Sequence, residues 1–262
     1  MKKIFVTTSW DDGDALDKRI ISLLDKYGFK GTFYVAINQD SRLSDDDIRE
    51  ISKRHEIGAH TINHPRLGTI DIGAATEEIR NSKAMLEKII NKQIEMFAYP
   101  FGDYNEEIKR IVSSCGFLGA RTTKDWSWDL TEDTFEMPTS LHVYPYPFRP
   151  GASSAMAWLK PLFYNFPKII SRRLRPAAVF SWQNLALAMF DRACAEGGVF
   201  HILAMFDRAC AEGGVFHIWG HSWEIEKYKM WKDFENLLKY ISRNKDCIYL
   251  TNGDLLNRIE NK

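Results

Sequence analysis

Short apolar runs alternate with helical patterns through the first half of the chain, and this alternation limits the fold more than any other feature. Five runs rich in β-branched and aromatic side chains are predicted to be strands: residues 4–8, 31–35, 56–59, 96–99 and 118–122. Between them, apolar residues recur at helical spacing, most clearly over 74–92 and 105–115. Such alternation favours a parallel sheet covered by helices. The length of 262 residues suits one α/β domain of barrel size, which we expect to span residues 1–262.

Candidate catalytic side chains follow the predicted strands directly. Asp11 and Asp12 come just after the first strand, and His60 and His64 come after the third. The carboxyl ends of parallel strands meet at one face of a barrel, where the active sites of such folds form. One Asp and two His supply three metal ligands and leave positions open for water and substrate, as in catalytic zinc sites. Because the second Asp remains available as a base, the sequence predicts a metal-assisted hydrolase.

The regular pattern stops at residues 126–182, which are dense in Pro and aromatic residues. This stretch is too long for a simple loop, and we predict an insertion that covers or lines the site. Within it, residues 168–175 place Lys168, Arg172, Arg173 and Arg175 beside apolar side chains. Basic amphipathic segments of this kind bind membrane surfaces or phosphates, although a solvated helix face is the commoner explanation.

An identical sixteen-residue sequence, LAMFDRACAEGGVFHI, occupies residues 187–202 and again residues 203–218. Repeat proteins usually show three or more divergent copies, so a single exact tandem pair is typical of a recent or artificial duplication, or of an error in sequence assembly. Only one copy can occupy a given place in the fold. Since His221 follows the second copy, we predict that residues 215–219 form the strand and that His201 duplicates His217 without a function.

Composition excludes several classes of protein. Lys plus Arg equals Asp plus Glu at 35 each, so no overall field attracts nucleic acid. The four Cys residues lack the spacing of a disulfide framework or a Cys zinc site. No apolar stretch is long enough to span a membrane. The chain enters its first predicted strand after Met-Lys-Lys, without the apolar segment of a signal peptide, and we therefore expect a cytoplasmic protein.

Together these motifs resemble those of the polysaccharide deacetylases with NodB homology, carbohydrate esterase family four. The first family motif is similar to residues 9–13, and the second, His-Ser/Thr-x-x-His, matches residues 60–64. The third matches residues 100–102, the fourth is loosely similar to residues 125–126, and the fifth is a strand that ends in His, here His221. The resemblance covers residues 3–123 and 215–256 and implies a distorted (β/α)7-type barrel.

The resemblance also implies a role for each matching residue. Asp12, His60 and His64 would bind the metal. Asp11 would be the general base that activates the attacking water, and His221 would be the general acid for the leaving amine or alcohol. The implied metal is Zn²⁺, with Co²⁺, Mn²⁺ or Ni²⁺ as substitutes, because an Asp-His-His set selects weakly among these ions.

One family residue is missing. The third motif usually begins with an Arg that orients the base, and this chain has Ala98 there. Arg121, at the end of the next predicted strand, is a hypothetical replacement, and a structural ion pair is the alternative. The residues predicted to contact substrate, or to hold its oxyanion through a backbone N–H, are Tyr99, Pro100, Phe101, Asp125, Trp126, His142 and Trp219.

The function implied is hydrolysis of an acetyl group from an N- or O-acetylated carbohydrate. A cytoplasmic enzyme would not meet extracellular polymers, so an intermediate of surface-polysaccharide synthesis fits better. Two alternatives stay open: a hydrolase of linear or cyclic amides that are not sugars, and a carbohydrate-binding relative that has lost activity. The expected partner is an acetylated carbohydrate, with no nucleic acid, and the sequence does not determine the oligomeric state.

Overall fold

A computed structural model of the chain describes residues 3–127, 131, 133–196 and 214–260. Within them, the strands in chain order are β1 (Ile4–Trp10), β2 (Thr32–Val35), β3 (Glu56–Ala59), β4 (Met96–Ala98), β5 (Gly119–Arg121), β6 (Leu141–His142), β7 (Val215–Gly220) and β8 (Cys247–Leu250). The α-helices are α1 (Asp17–Tyr27), α2 (Asp45–Ile51), α3 (Ile72–Ile90), α4 (Glu106–Ser114), α5 (Ala155–Ser171), α6 (Trp182–Glu196), α7 (Ser222–Lys227), α8 (Trp231–Ile241) and α9 (Asn252–Glu260). The predicted strand–helix alternation is thus confirmed.

All strand pairings are parallel, in the order β5-β4-β3-β2-β1-β7-β6. Strand β1 is central: β7 follows one of its edges from Phe5 to Trp10. The opposite edge is shared, with β8 along its first residues and β2 along its last. All seven residues of β1 are buried. Its first three residues, Ile4, Phe5 and Val6, form the kind of apolar run that is typical of a strand buried on both faces, and this run identifies the strand in the sequence.

The two ends of this strand order, β5 and the β7–β6 pair, are connected by residues 137–143. Met137 donates its N–H to the carbonyl of Ala120, and Ser140 and Val143 donate theirs to carbonyls of β7. This segment therefore bonds to β5 on one side and β7 on the other, which makes the sheet a distorted barrel, as predicted. It also lies inside the 126–182 stretch predicted to be an insertion, so part of that stretch is barrel wall.

Helix starts follow local capping chemistry. Ser44 begins α2 with a capping box in which its hydroxyl accepts from the N–H of Asp47. The Asn105 side chain accepts from two N–H groups at the start of α4. Helices α7 and α8 are separated by a short turn at residues 228–230. No α-helix within the described ranges is long and apolar enough to cross a membrane.

The two copies of the duplicated sequence contribute different elements. The first ten residues of the first copy form the end of α6, and the last residues of the second copy form β7, as predicted for residues 215–219. Phe190 from the first copy packs edge-on against Phe216 from the second, with ring centroids 5.2 Å apart. His201 lies outside the described residues.

Candidate active site and metal centre

Three side chains from two strand ends converge on one point. The Nε2 atoms of His60 and His64 lie 3.0 Å apart, and Oδ1 of Asp12 is 3.9 Å and 3.4 Å from them, respectively. Their ligand atoms all fall within 4.8 Å of one another. Asp12 follows β1 and His60 follows β3, so the parallel barrel brings together residues about fifty positions apart in sequence.

The protonation and orientation of these groups suit a divalent metal. His60 donates its Nδ1–H to the carbonyl of Ala98, at 2.8 Å, which leaves the lone pair of Nε2 facing the other ligands. Burial lowers the pKa of His64, and lowers that of His60 to about 3, so both imidazoles are neutral, as ligands must be. Oδ1 of Asp12 is buried without a hydrogen-bond partner among the described residues. A carboxylate oxygen in that position is available to bind a cation.

Backbone strain concentrates around this point. Of the eight described non-glycine residues with positive φ, two are candidate ligands, Asp12 (77°) and His64 (55°), and two adjoin them, Thr61 (68°) and Phe101 (59°). The left-handed region is costly for residues with a Cβ, and most of all for a β-branched Thr. Such strain persists where the surrounding structure enforces it, typically at functional sites. The sequence does not predict these left-handed conformations, because none of them falls on a glycine.

Asp11 lies beside the candidate ligands but does not share their hydrogen bonds. It is 8% exposed, and its Oδ1 has no hydrogen-bond partner among the described residues. Burial raises the pKa of Asp11 to about 7; the neighbouring Asp12 adds to this effect, while His221 and Arg121 oppose it. A carboxyl group whose pKa lies near neutrality is suited to accept a proton in catalysis.

His221 is held by an acidic partner. Its Nδ1 lies 2.8 Å from Oε2 of Glu224, and its Nε2 lies 4.0 Å from Oδ2 of Asp12. Burial alone lowers the pKa of His221, but the hydrogen bond to Glu224 and the charge of Asp12 outweigh burial and raise this pKa to about 9. His221 is therefore protonated at neutral pH and able to donate a proton.

Arg121 does not hydrogen-bond to Asp11. It pairs with Ala98 across β4 and β5, as its predicted position requires. Its guanidinium, however, donates to the carbonyl of Pro138 and to Oδ1 of Asn252, both at 2.6 Å. The charge of Arg121 still lowers the pKa of Asp11. A direct hydrogen bond of the kind attributed to the family Arg is thus replaced by an electrostatic influence from within the barrel.

Tyr99, Pro100 and Phe101, at the third motif, differ in their burial and contacts. Tyr99 is buried, its hydroxyl donates to the carbonyl of Phe135, and its backbone N–H donates to the carbonyl of Arg121. Tyr99 is therefore packed in the interior, with both its hydroxyl and its backbone N–H already hydrogen-bonded. Pro100 is buried and starts the turn that carries Phe101. The Phe101 ring is 54% exposed and packs edge-on against His64 at 4.5 Å.

Three of the four remaining predicted contacts line a neighbouring cavity of about 370 Å³. Asp125, Trp126 and His142 form part of its wall, together with apolar residues of α5 and α6. His142 connects this cavity to the catalytic groups, because its Nε2 lies 3.4 Å from Oε2 of Glu224. His142 also stacks on the Trp219 ring at 4.0 Å, which covers the indole face predicted to contact a sugar. The Asp125 carboxylate accepts hydrogen bonds from Lys168 and Tyr164.

Two contacts of the candidate site were not predicted from the sequence. The indole N–H of Trp223 donates to Oδ2 of Asp12 at 2.9 Å, which fixes the carboxylate with Oδ1 towards the histidines. Glu224 bridges His221 and His142. The spacing His221-x-x-Glu224 was an available signal, because side chains three apart at a helix start face each other.

Comparisons with known proteins agree with this arrangement. The family model for polysaccharide deacetylase matches residues 1–120. Two curated proteins of Bacillus subtilis (strain 168) align with this chain. The candidate polysaccharide deacetylase YxkH is 27% identical over 106 residues, and the peptidoglycan-N-acetylmuramic acid deacetylase PdaC is 25% identical over 123 residues. These alignments cover 39% and 46% of this chain but only 38% and 26% of the respective relatives.

A solved structure covers far more of the chain. The crystal structure of a candidate polysaccharide deacetylase from Mycobacterium smegmatis aligns with 99% of this chain and 91% of its own, with a TM-score of 0.66 and 14% identity. At that identity the match shows the fold alone, and it confirms the α/β barrel. The matched residues 1–120 contain Asp11, Asp12, His60 and His64. Residues 1–120 of this chain therefore match the family model of polysaccharide deacetylases, in agreement with the resemblance of its motifs.

Proposed function

We propose that this protein is a metal-dependent hydrolase that removes acetyl groups from an N- or O-acetylated carbohydrate. The observation that carries the proposal is the convergence of Asp12, His60 and His64 beside an unpaired, buried Asp11 and a protonated His221. A buried carboxyl near neutrality next to a cationic imidazole is the base and acid pair that amide or ester hydrolysis needs.

The three ligands would hold Zn²⁺ or a similar divalent ion, which when bound lowers the pKa of water and polarises the acetyl carbonyl. Trp223 keeps the Asp12 carboxylate oriented, and Ala98 does the same for the His60 ring. Asp11 accepts the proton of the attacking water, and His221, held by Glu224, donates a proton to the departing amine or alcohol. The backbone N–H of Phe101 remains the proposed donor to the oxyanion, since that of Tyr99 is already used.

Carbohydrate is the proposed substrate because the site adjoins surfaces that suit it. The exposed Phe101 ring lies against His64, and a sugar ring entering the centre would meet it. The cavity beyond His142 offers room for a further part of the substrate. Its wall includes Arg149 and Lys160, which suits a negatively charged linker such as the pyrophosphate of a biosynthetic intermediate.

The proposal is tested by measuring acetate release from a panel of acetylated sugars with metal-stripped and Zn²⁺-reconstituted protein. We expect release that requires metal and that falls by about 10²-fold or more in Asp11→Asn, since general base catalysis contributes that much. Metal binding with no release from any acetylated sugar, but turnover of small imides or formamides, would favour the non-sugar amide hydrolase. Sugar binding without any turnover would favour an inactive relative.

Arg121 is proposed as a positioning residue for Asp11. Arg121→Met should lower kcat with little change in KM, because it removes a charge near the base and no group that touches substrate. Arg121→Lys should restore part of kcat. If Arg121→Met changes only the free energy of unfolding, Arg121 is structural.

A further inference from the structure

Helix α5 has an apolar side that faces away from the protein. Trp158, Leu162, Asn165 and Ile169 recur at helical spacing, and among these Ile169 is buried. On the opposite side, Met156, Phe163 and Ile170 are spaced seven residues apart, and Phe166 lies among them. Their exposed fractions are 71%, 59%, 60% and 45%, respectively. A surface helix normally carries polar side chains on its outer side, so this one requires a partner.

Neighbouring residues enlarge the same surface. Of the thirteen exposed large apolar residues in the described chain, eight lie between residues 148 and 180. Beside α5, Phe180 is 74% exposed, and Phe148 stacks on Trp158 with ring centroids 4.0 Å apart. We call the outer side of α5 together with Phe180 the α5 surface.

All charged side chains in the stretch that carries the α5 surface are basic. No Asp or Glu occurs between residues 137 and 190, although the whole chain is electrically neutral. The same stretch contains six basic residues: Arg149, Lys160, Lys168, Arg172, Arg173 and Arg175. Lys168 and Arg175 pair with acids from outside this stretch, whereas Lys160 and Arg173 are exposed beside the apolar side chains. The local charge is therefore strongly positive.

We propose that the α5 surface docks the protein on an anionic lipid bilayer. Aromatic and aliphatic side chains on one side of a helix, flanked by Lys and Arg, are the features by which interfacial helices bind lipid headgroups and the outer acyl region. A symmetric dimer through this surface would bring like charges together at the contact. Exposed aliphatic side chains also disfavour a nucleic acid as the partner. The proposal is independent of the catalytic chemistry.

The test is sedimentation of the full chain with vesicles of pure phosphatidylcholine and with vesicles of phosphatidylcholine and phosphatidylglycerol in equal amounts. We expect strong binding to the anionic vesicles only, weakened by salt. Phe163→Ser with Phe166→Ser should lower the partition coefficient by about tenfold or more, since each ring loses apolar burial. Lys160→Gln with Arg173→Gln should lower it by about 25-fold, at roughly fivefold for each charge.

Matched controls lie on α3, where Met85 is 45% exposed and Lys88 is also exposed. Met85→Ser and Lys88→Gln should bind like the wild type. All these positions are at the surface, so unchanged thermal unfolding should accompany every substitution. Absence of binding to anionic vesicles, or equal loss in the control variants, would overturn the proposal. Concentration-dependent dimers that Phe163→Ser abolishes would assign the surface to a second copy instead.

Discussion

Trp223→Phe isolates one interaction that prepares the candidate metal centre. The substitution keeps an aromatic ring next to His221, at a centroid distance of 5.3 Å in the wild type, and removes only the N–H that donates to Asp12. Without that donor, Oδ2 of Asp12 loses its partner and the carboxylate is free to rotate. The ligand oxygen Oδ1 would then no longer be fixed towards His64.

The expected magnitude follows from the geometry. A hydrogen bond to a charged acceptor contributes about 1.5–3 kcal/mol. Because Trp223 is 36% exposed, water competes for the same oxygen, and the low end applies. About 1.5 kcal/mol corresponds to a roughly tenfold loss of metal affinity, which agrees with the effect of outer hydrogen bonds on other metal sites.

The assay is competition for Zn²⁺ between the metal-stripped protein and a chromogenic chelator. Trp231→Phe is the control, because it also removes an indole N–H bonded to a carboxylate, that of Glu226, which belongs to no candidate ligand group. Only Trp223→Phe should weaken Zn²⁺ binding. An unchanged affinity in Trp223→Phe, or an equal loss in both variants, would refute the reasoning.

Three further predictions concern the acid, the barrel interior and the duplication. Glu224→Gln should lower kcat by about tenfold or more, because the neutral amide no longer holds His221 in its protonated form. Burial raises the pKa of Glu56 from 4.5 to about 7, so the folded protein keeps a proton that the unfolded chain releases. The free energy of unfolding should therefore fall as pH rises from about 4.5 to about 7, by at most about 3 kcal/mol, and Glu56→Gln should remove this part of the slope. Deletion of residues 197–212 restores a single copy of the duplicated sequence and keeps every described residue. It leaves two residues between α6 and β7, which is an ordinary length for such a connection. We therefore expect stability and turnover to be retained.

Each of these predictions has a direct control. Glu226→Gln, two positions after Glu224, should leave kcat unchanged, and an equal loss there would contradict the role of Glu224. Glu107→Gln, an exposed carboxylate, should keep the wild-type dependence of unfolding on pH, measured by chemical denaturation. For the deletion, a large drop in thermal unfolding temperature would show that residues 197–212 are needed by the fold.

The sequence by itself determined most of the strands and the candidate ligand set. Strand β1 is buried on both faces, and the apolar run at its start, residues 4–6, could be recognised without any neighbour. Asp11, Asp12, His60 and His64 were predicted because polar residues at the ends of parallel strands must meet at one face of the barrel. Residues 141–142 were not predicted as a strand, because two residues among prolines give no periodicity.

Only the tertiary structure decided what surrounds those ligands. Tyr99 and Phe101 are two residues apart, yet one is buried and the other exposed, because a left-handed turn at Phe101 reverses the chain. Arg121 reached the predicted strand position, but its hydrogen bonds go to Pro138 and Asn252. Trp223 and Glu224 gained their roles from a helix that starts beside Asp12. Hydrogen bonds between distant segments depend on distances and angles set by packing, and residue order alone does not contain them.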